Sequence, residues 1–381
     1  MDNNYKYIKN ISSGAFSNVG LYKNKNKYYA IKISNDDEKF EGILCNELRE
    51  IISLIILRKH PNIIDISEIF LSSDSTLNLV YKFYPETLDS YLQRTTIDDR
   101  INYTLPFIAQ MLSILHFLDI NQIIHSDIKP HNILVYFKND ELVLKLIDFG
   151  SCHIEGLTSK YSIVTTYTHR APEVFSYNKN YDFKIDIWSF GVILFKFITG
   201  IDIIDYKIHN KTDDLDKLKD IYKFIGFFLN YNMDLRLKLF LSKIFTIDPL
   251  ERYNINQLGN LFNDIFNVTF LKYKRSCISY SINLLDEKLN EINKYISERM
   301  FNVNLDNLNF GNLIISKLED LTDLDYVTIW YLNYQFCHSD AEYILKDFIY
   351  IFNSFYKKIF NKADIHNNCF TILYLIDFNL F

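Results

Sequence analysis

Residues 123–134 read "IIHSDIKPHNIL", and a little further on residues 146–150 read "LIDFG". The first stretch spaces Asp127, Lys129 and Asn132 as Asp-x-Lys-x-x-Asn, ahead of a short apolar run. Asp127 can accept the proton of an incoming hydroxyl. Lys129, two residues on, can neutralise a transferred anionic group. Asn132 can offer its amide oxygen to a metal, and Asp148, at the end of an apolar strand-like run, can supply a second oxygen ligand.

Working outward, "YYAIKI" at 28–33 holds Lys32 between apolar neighbours in a β-type run. A lysine so placed is ordinarily an exposed edge residue. Here it follows Val19 by thirteen residues, one hairpin away, which predicts an ammonium beneath the 11–19 turn and pointing at phosphate. Such a cation needs an anion. Glu50 in "LREIISL" is preferred over Glu47, which lies one turn earlier on about the same helical face. The preference rests on where Glu50 stands before "HPNII", although one residue is then in excess.

The stretch "ISSGAFSNV" at 11–19 fits the spacing of a glycine-rich phosphate loop, with Ser12, Gly14 and Ser17 at the glycine positions and Val19 after them. Glycine suits such a loop because backbone N–H groups must approach phosphate with no side chain between them. Taken alone, the stretch reads more simply as a hairpin turn. In register with Lys32, Asp127, Lys129, Asn132 and Asp148, it completes a set of groups that phosphoryl transfer requires. Charge develops on phosphate oxygens and is met by metal, lysine and a positioned carboxylate.

The chain has 381 residues, of which 48% are hydrophobic and 16% aromatic, enough for a large core and more than one domain. Its net charge of −6, with no lysine/arginine block, gives no nucleic-acid footprint. Five scattered cysteines form no Cys-x-x-Cys pair, so reduced thiols are expected rather than zinc or a disulfide framework. "MDNNYKYIKN" lacks the apolar run of a signal peptide, and the apolar runs are core-sized. No membrane partner and a cytoplasmic location are therefore expected, with the nucleus left open.

From 5 to about 83, "YKYIKNIS", "SNVGLYKN", "KYYAIKIS" and "TLNLVYKFY" are strand-like, around one helical stretch, "GILCNELREIISLIILRK". From about 84 to 266, helices dominate, with helical spacing over 99–119 and 183–199. "ILVYFKNDELVLKLIDF" interrupts them as a hairpin turning at Asn139–Asp140. Beyond 267 the composition stays apolar, and Thr322 with Asp325 and Ser339 with Glu342 read as capping boxes. The expected fold class is α+β: a small β-rich lobe, a larger helical lobe, and a helical C-terminal region over 267–381 of unknown role.

Over residues 5–266 the chain resembles the eukaryotic protein kinases. More stretches carry the likeness in order: "RAPEV" at 170–174, "DIWSFGVILF" at 186–195 and "DPLERY" at 248–253. The resemblance implies a bilobal kinase fold and a serine/threonine kinase using ATP and Mg2+ on a protein substrate. It implies Asp127 as base, with Lys129, Lys32, Glu50 and Thr166 supporting the reaction, and Asn132 and Asp148 on metal. ATP would lie against Ile11, Ser12, Ser13, Gly14, Ala15, Phe16, Ser17, Asn18, Val19, Ala30, Lys32, Phe83 and Leu134, with a gatekeeper at Tyr81. Asp186 would anchor the catalytic loop, Glu173 would pair with Arg252, and Leu54, His125 and Phe149 would form a buried column. "LREIISL", "HPNIID" and "LDKLKDIYKFIG" look loosely like the cyclin-dependent branch. That likeness suggests a regulatory partner at the Glu50 helix or through the C-terminal helices.

Two positions of one phosphate-binding clamp depart from the family. Where many members carry arginine before the catalytic aspartate, this chain has Ser126, and a second such arginine corresponds to His153, leaving Arg49. Those arginines clamp a phosphate on the activation loop. The expectation is a working kinase whose catalysis does not need loop phosphorylation, although Thr158, Ser159, Tyr161 and Ser162 could accept phosphate. The competing reading is a pseudokinase scaffold. It draws on the sparse glycines and Ser126, but every group with a chemical role is present.

Overall fold

The computed structural model describes residues 5–13, 17–34, 45–58, 60–72, 76–155, 165–176, 181–203, 214–272 and 274. Gly14, Ala15, Phe16, the four loop hydroxyls at 158–162 and the two C-terminal capping boxes lie outside the described residues.

The small lobe is a five-stranded antiparallel sheet in the order β1-β2-β3-β5-β4. Its strands are β1 (Lys6–Ser13), β2 (Ser17–Asn24), β3 (Lys27–Ser34), β4 (Ile66–Leu71) and β5 (Leu77–Lys82). Between β3 and β4 runs α1 (Cys45–Leu57). Its apolar residues recur at three-to-four spacing, and Leu48, Ile51, Ile52, Leu54, Ile56 and Leu57 are all buried in the core.

Strand β4 has no counterpart in the sequence reading. A bulge between Ile66 and Glu68 breaks the period-two alternation that would mark it.

The larger lobe begins with β6 (Glu86–Thr87) and the helices α2 (Leu88–Arg94), α3 (Ile97–Arg100) and α4 (Thr104–Ile120). The single helix expected over 99–119 is thus broken by a turn at Ile101–Tyr103. Pro106 gives the reason: within a continuous helix its ring would clash with the carbonyl of Asn102, whereas the first turn of α4 tolerates it. The stretch Ile97–Ile120 is long and apolar enough by composition to cross a membrane, but most of it is buried inside this lobe.

Next come β7 (Ile123–Ile124), β8 (Ile133–Lys138), β9 (Glu141–Leu146) and β10 (His153–Ile154). Strands β8 and β9 form the expected hairpin. Lys138 faces Glu141, and Asn139 and Asp140 both take positive φ, 51° and 64°, as a two-residue turn of this kind demands. The helices α5 (Lys184–Thr199), α6 (Asp214–Asn230), α7 (Leu235–Ile244) and α8 (Ile255–Phe266) complete the lobe. A capping box of Asn254 and Gln257 starts α8.

The chain stays packed past α8. Phe270 is buried against the His116 ring, and Ser113 Oγ donates to the Leu271 carbonyl at 2.6 Å. Gly259 makes room for Phe270, since a Cβ there would lie 2.4 Å from its ring.

"HPNII" joins the lobes. Asn62 Nδ2 donates to the Leu144 carbonyl at 3.0 Å, Leu146 N–H to the Asn62 carbonyl at 2.8 Å, and Lys145 Nζ to the Ile63 carbonyl at 2.9 Å. These bonds fix the end of β9, and with it Asp148, relative to the segment that follows α1.

Candidate active site

Residues directly opposite on antiparallel strands share one sheet face, and so do residues two apart on one strand. Lys32 is opposite Val19 on β2 and Leu79 on β5, and Ala30 is opposite Tyr81. Val19, Ala30, Lys32 and Tyr81 therefore line one face. From it Lys32 Nζ reaches Glu50 Oε2 at 2.6 Å and Asp148 Oδ1 at 3.3 Å. Burial alone would lower the Lys32 pKa, but the charges of Glu50 and Asp148 outweigh it and raise the ammonium above its ordinary range. Glu50, and not Glu47, meets the lysine.

Tyr81 donates its hydroxyl to the other Glu50 oxygen, Oε1, at 2.8 Å. Burial raises this phenol far above its usual value, so it stays a donor. Nothing in the strand-like run "LNLVYK" signals that bond in the sequence. It exists because β5 and α1 close on the same carboxylate.

The loop between β7 and β8 carries the second cluster. Both Asp186 oxygens anchor it: His125 N–H donates to Oδ2 at 2.7 Å and Ser126 N–H to Oδ1 at 3.0 Å. Burial pushes the Asp186 carboxyl up to about 7, and those two backbone donors oppose the rise. The His125 ring is held neutral by burial. Its Nδ1 accepts from Asp127 N–H at 3.2 Å, leaving Nε2–H for the Ile147 carbonyl at 3.0 Å. Phe149 packs edge-on against it, with ring centroids 4.8 Å apart, and Leu54, His125, Phe149 and Asp186 are all buried.

Asp127 is caged. Its Oδ1 accepts from Thr166 Oγ1 at 2.6 Å and Thr166 N–H at 3.0 Å. Its Oδ2 accepts from Lys129 Nζ at 2.7 Å and Asn132 Nδ2 at 3.2 Å. Burial would raise its pKa, but the bonds from Lys129 and Thr166 and the Lys129 charge hold the carboxyl below the ordinary aspartate range. The carboxylate is thus ionised at neutral pH.

The donors suit a hard divalent cation. Asn132 spends its N–H groups on Asp127, so its carbonyl oxygen is the end left for a metal. Ile147 N–H donates to the Asn132 main-chain carbonyl, not the side-chain oxygen, at 2.9 Å, which ties the Asn132 segment to the residue before Asp148. Asp148 stands in a left-handed backbone conformation, φ 66°. Among the described residues no three His, Cys, Asp or Glu side chains group as a metal site. Two oxygen ligands such as Asn132 and Asp148 would suit magnesium, which takes one or two protein oxygens and completes its shell with phosphate and water.

The other expected nucleotide contacts are spread along the small lobe and β8. Ile11 is exposed on β1, Ser12 and Ser13 pair with Val19 and Asn18, and Ser17 begins β2. Leu134 is half-buried on β8. Phe83 donates its N–H to the Tyr28 carbonyl at 3.2 Å, so a purine beside it would meet its carbonyl or ring instead.

Behind the site, Ser53 Oγ and Cys152 Sγ lie 2.8 Å apart. Burial pushes the Cys152 thiol up to about 12. Deeper in the large lobe, Arg252 makes a two-pronged pair with Glu173, at 2.7 and 3.0 Å.

Comparison with known proteins points to one family. A family model described as the protein kinase domain matches residues 5–261. The probable serine/threonine-protein kinase glkA of Dictyostelium discoideum is 30% identical over 282 residues, which cover 67% of this chain and 57% of that protein. The chain thus spans a little over half the length of this curated relative.

Proposed function

The chain belongs to the protein kinase family, and from that premise we propose that it is a serine/threonine kinase transferring the γ-phosphoryl group of ATP to a protein hydroxyl. The observation that carries the reading is a pair of linked clusters: Lys32 bridges Glu50 and Asp148, and Asp127 is held ionised between Lys129, Asn132 and Thr166, with the Ile147 N–H bond to the Asn132 main-chain carbonyl tying one to the other. Asp127 takes the hydroxyl proton as the substrate oxygen bonds to the γ-phosphorus and ADP leaves. Lys129 balances negative charge on the moving phosphoryl group. Lys32, fixed by Glu50, holds the α- and β-phosphates. Val19, Ala30 and Leu134 would sandwich the adenine, with residues 11–18 over the phosphates. Asn132 and Asp148 would hold magnesium, which when bound neutralises charge on the phosphate oxygens.

The kinase unit in this reading spans 5–266, with lobes at 5–83 and 84–266, and residues 267–381 are read as a helical C-terminal region of unknown role, whose first residues pack on α4. The stretches "LREIISL", "HPNIID" and "LDKLKDIYKFIG" support a loose placement near the cyclin-dependent branch, with a regulatory partner at α1 or through the C-terminal region. The reading further holds that Ser126 and His153 leave the loop clamp with one strong cation, Arg49, so transfer proceeds without loop phosphorylation. Ser12 and Ser17 in the phosphate loop favour the rival reading, an ATP-binding scaffold.

The deciding assay is transfer from γ-labelled ATP to a peptide array with magnesium. Transfer that disappears in Asp148→Asn is the expected result. Equal silence of wild type and variant, with a partner still bound, would favour the scaffold.

A further inference from the structure

The Tyr81 hydroxyl has no part in the transfer chemistry above, yet it is one of two groups on the Glu50 carboxylate. Glu50 is only 3% exposed and Tyr81 8%. A buried carboxylate keeps its place only while its oxygens are bonded. Lys32 supplies charge, but its flexible four-carbon stem can follow a carboxylate that moves. The tyrosine ring cannot do so: it is fixed in the core on β5, opposite Ala30, with two torsions and one polar tip. Two neighbouring strands, β3 and β5, thus grip one side chain of α1.

The adjoining flank of α1 is held as well. Arg49 Nη1 donates to the Cys152 carbonyl at 3.5 Å, and Ser53 lies against the Cys152 sulfur. Gly150 faces the first turn of α1, where a Cβ would stand 3.4 Å from the Asn46 carbonyl oxygen.

We propose that Tyr81 is a positioning residue: its hydroxyl sets Glu50, and through Glu50 the seat of α1 and the placement of Lys32, from within the sheet. The catalytic consequence rests on the kinase reading, whereas the seating of α1 does not. This geometry explains how α1 is held in place without a phosphate clamp beside Ser126.

The test uses Tyr81→Phe in the full chain, which keeps the ring and removes one oxygen. The kcat for peptide phosphorylation is expected to fall about tenfold, the scale of one hydrogen bond to a charged group, with KM for the peptide within about twofold. In a Glu50→Ala background the same change should cost nothing more, because the hydroxyl has lost its partner. Amides of α1 should exchange with solvent about tenfold faster in Tyr81→Phe, while those of α5 stay unchanged. Additive losses in the double variant, or unaltered exchange in α1, would overturn the proposal. Should the wild type transfer no phosphate at all, the kinase reading falls, and the exchange experiment still decides whether Tyr81 seats the helix.

Discussion

Asp127 and Ser126 are neighbours in sequence and opposites in structure. Four hydrogen bonds converge on the Asp127 carboxylate, two on each oxygen. The Ser126 hydroxyl donates one long bond, 3.4 Å, to the Ile124 carbonyl two residues back, and only its backbone N–H does structural work, on Asp186. The other two positions of the loop clamp are also turned to local partners. His153 Nε2 sits 3.1 Å from Glu155, and Arg49 is buried against the Cys152 carbonyl. One residue is determined from every side, and the next serves as a spacer. On the proposed reading, groups that touch the reacting atoms are held independently of groups that would read a phosphate.

Breaking the cage should have the largest effect. Asp127→Asn is expected to lower kcat at least about a thousandfold, measured in single-turnover transfer, with the thermal unfolding midpoint nearly unchanged. Arg252→Ala tests a different kind of dependence. It strands Glu173 and removes a fully buried cation, so denaturant unfolding should show a loss of about 3–5 kcal/mol. Thr166→Val removes the hydroxyl from Asp127 and Lys129 but keeps the backbone donor. It should lower kcat about tenfold, with Thr166→Ser restoring most of it.

Acid probes two buried histidines of the fold. Burial lowers His60 to about 4 and His169 to about 3, so both are neutral in the fold while an unfolded chain would protonate them. A depressed folded pKa gives stability that is complete above about 6.5 and is lost as pH falls towards those values. The unfolding midpoint should therefore drop between pH 7 and 5. A flat profile would mean these rings are charged or exposed in solution.

The smallest effect should come from the clamp. Phosphatase treatment of purified protein is expected to change activity by less than about twofold, near the noise of such an assay. A large loss, restored by loop phosphorylation, would erase the contrast between the two neighbours.

Much of this fold was legible because its signals are local. The alternation in "KYYAIKIS", the helical spacing in α1 and the Asn139–Asp140 turn each need only a few residues to read. Strand β4 escaped because a bulge erases its alternation. The break between α3 and α4 escaped although Pro106 announces it. Glu47 and Glu50 share a helical face, and no periodicity chooses between them. The choice falls to the height of α1 against β3, which is a property of the packed core. The Tyr81 bond is of the same kind: both partners are visible in the sequence, and their meeting is not.

Cys152 gives the molecule a clock. Its thiol is wholly buried, just past Asp148, Phe149 and Gly150, and burial keeps it protonated well above neutral pH. It is the thiolate that attacks an alkylating reagent, so in the closed protein this sulfur should be silent. It becomes reactive only when α1 and the segment beside it part. The rate at which Cys152 is alkylated, followed by peptide mass spectrometry, would report how much of the time that opening is populated.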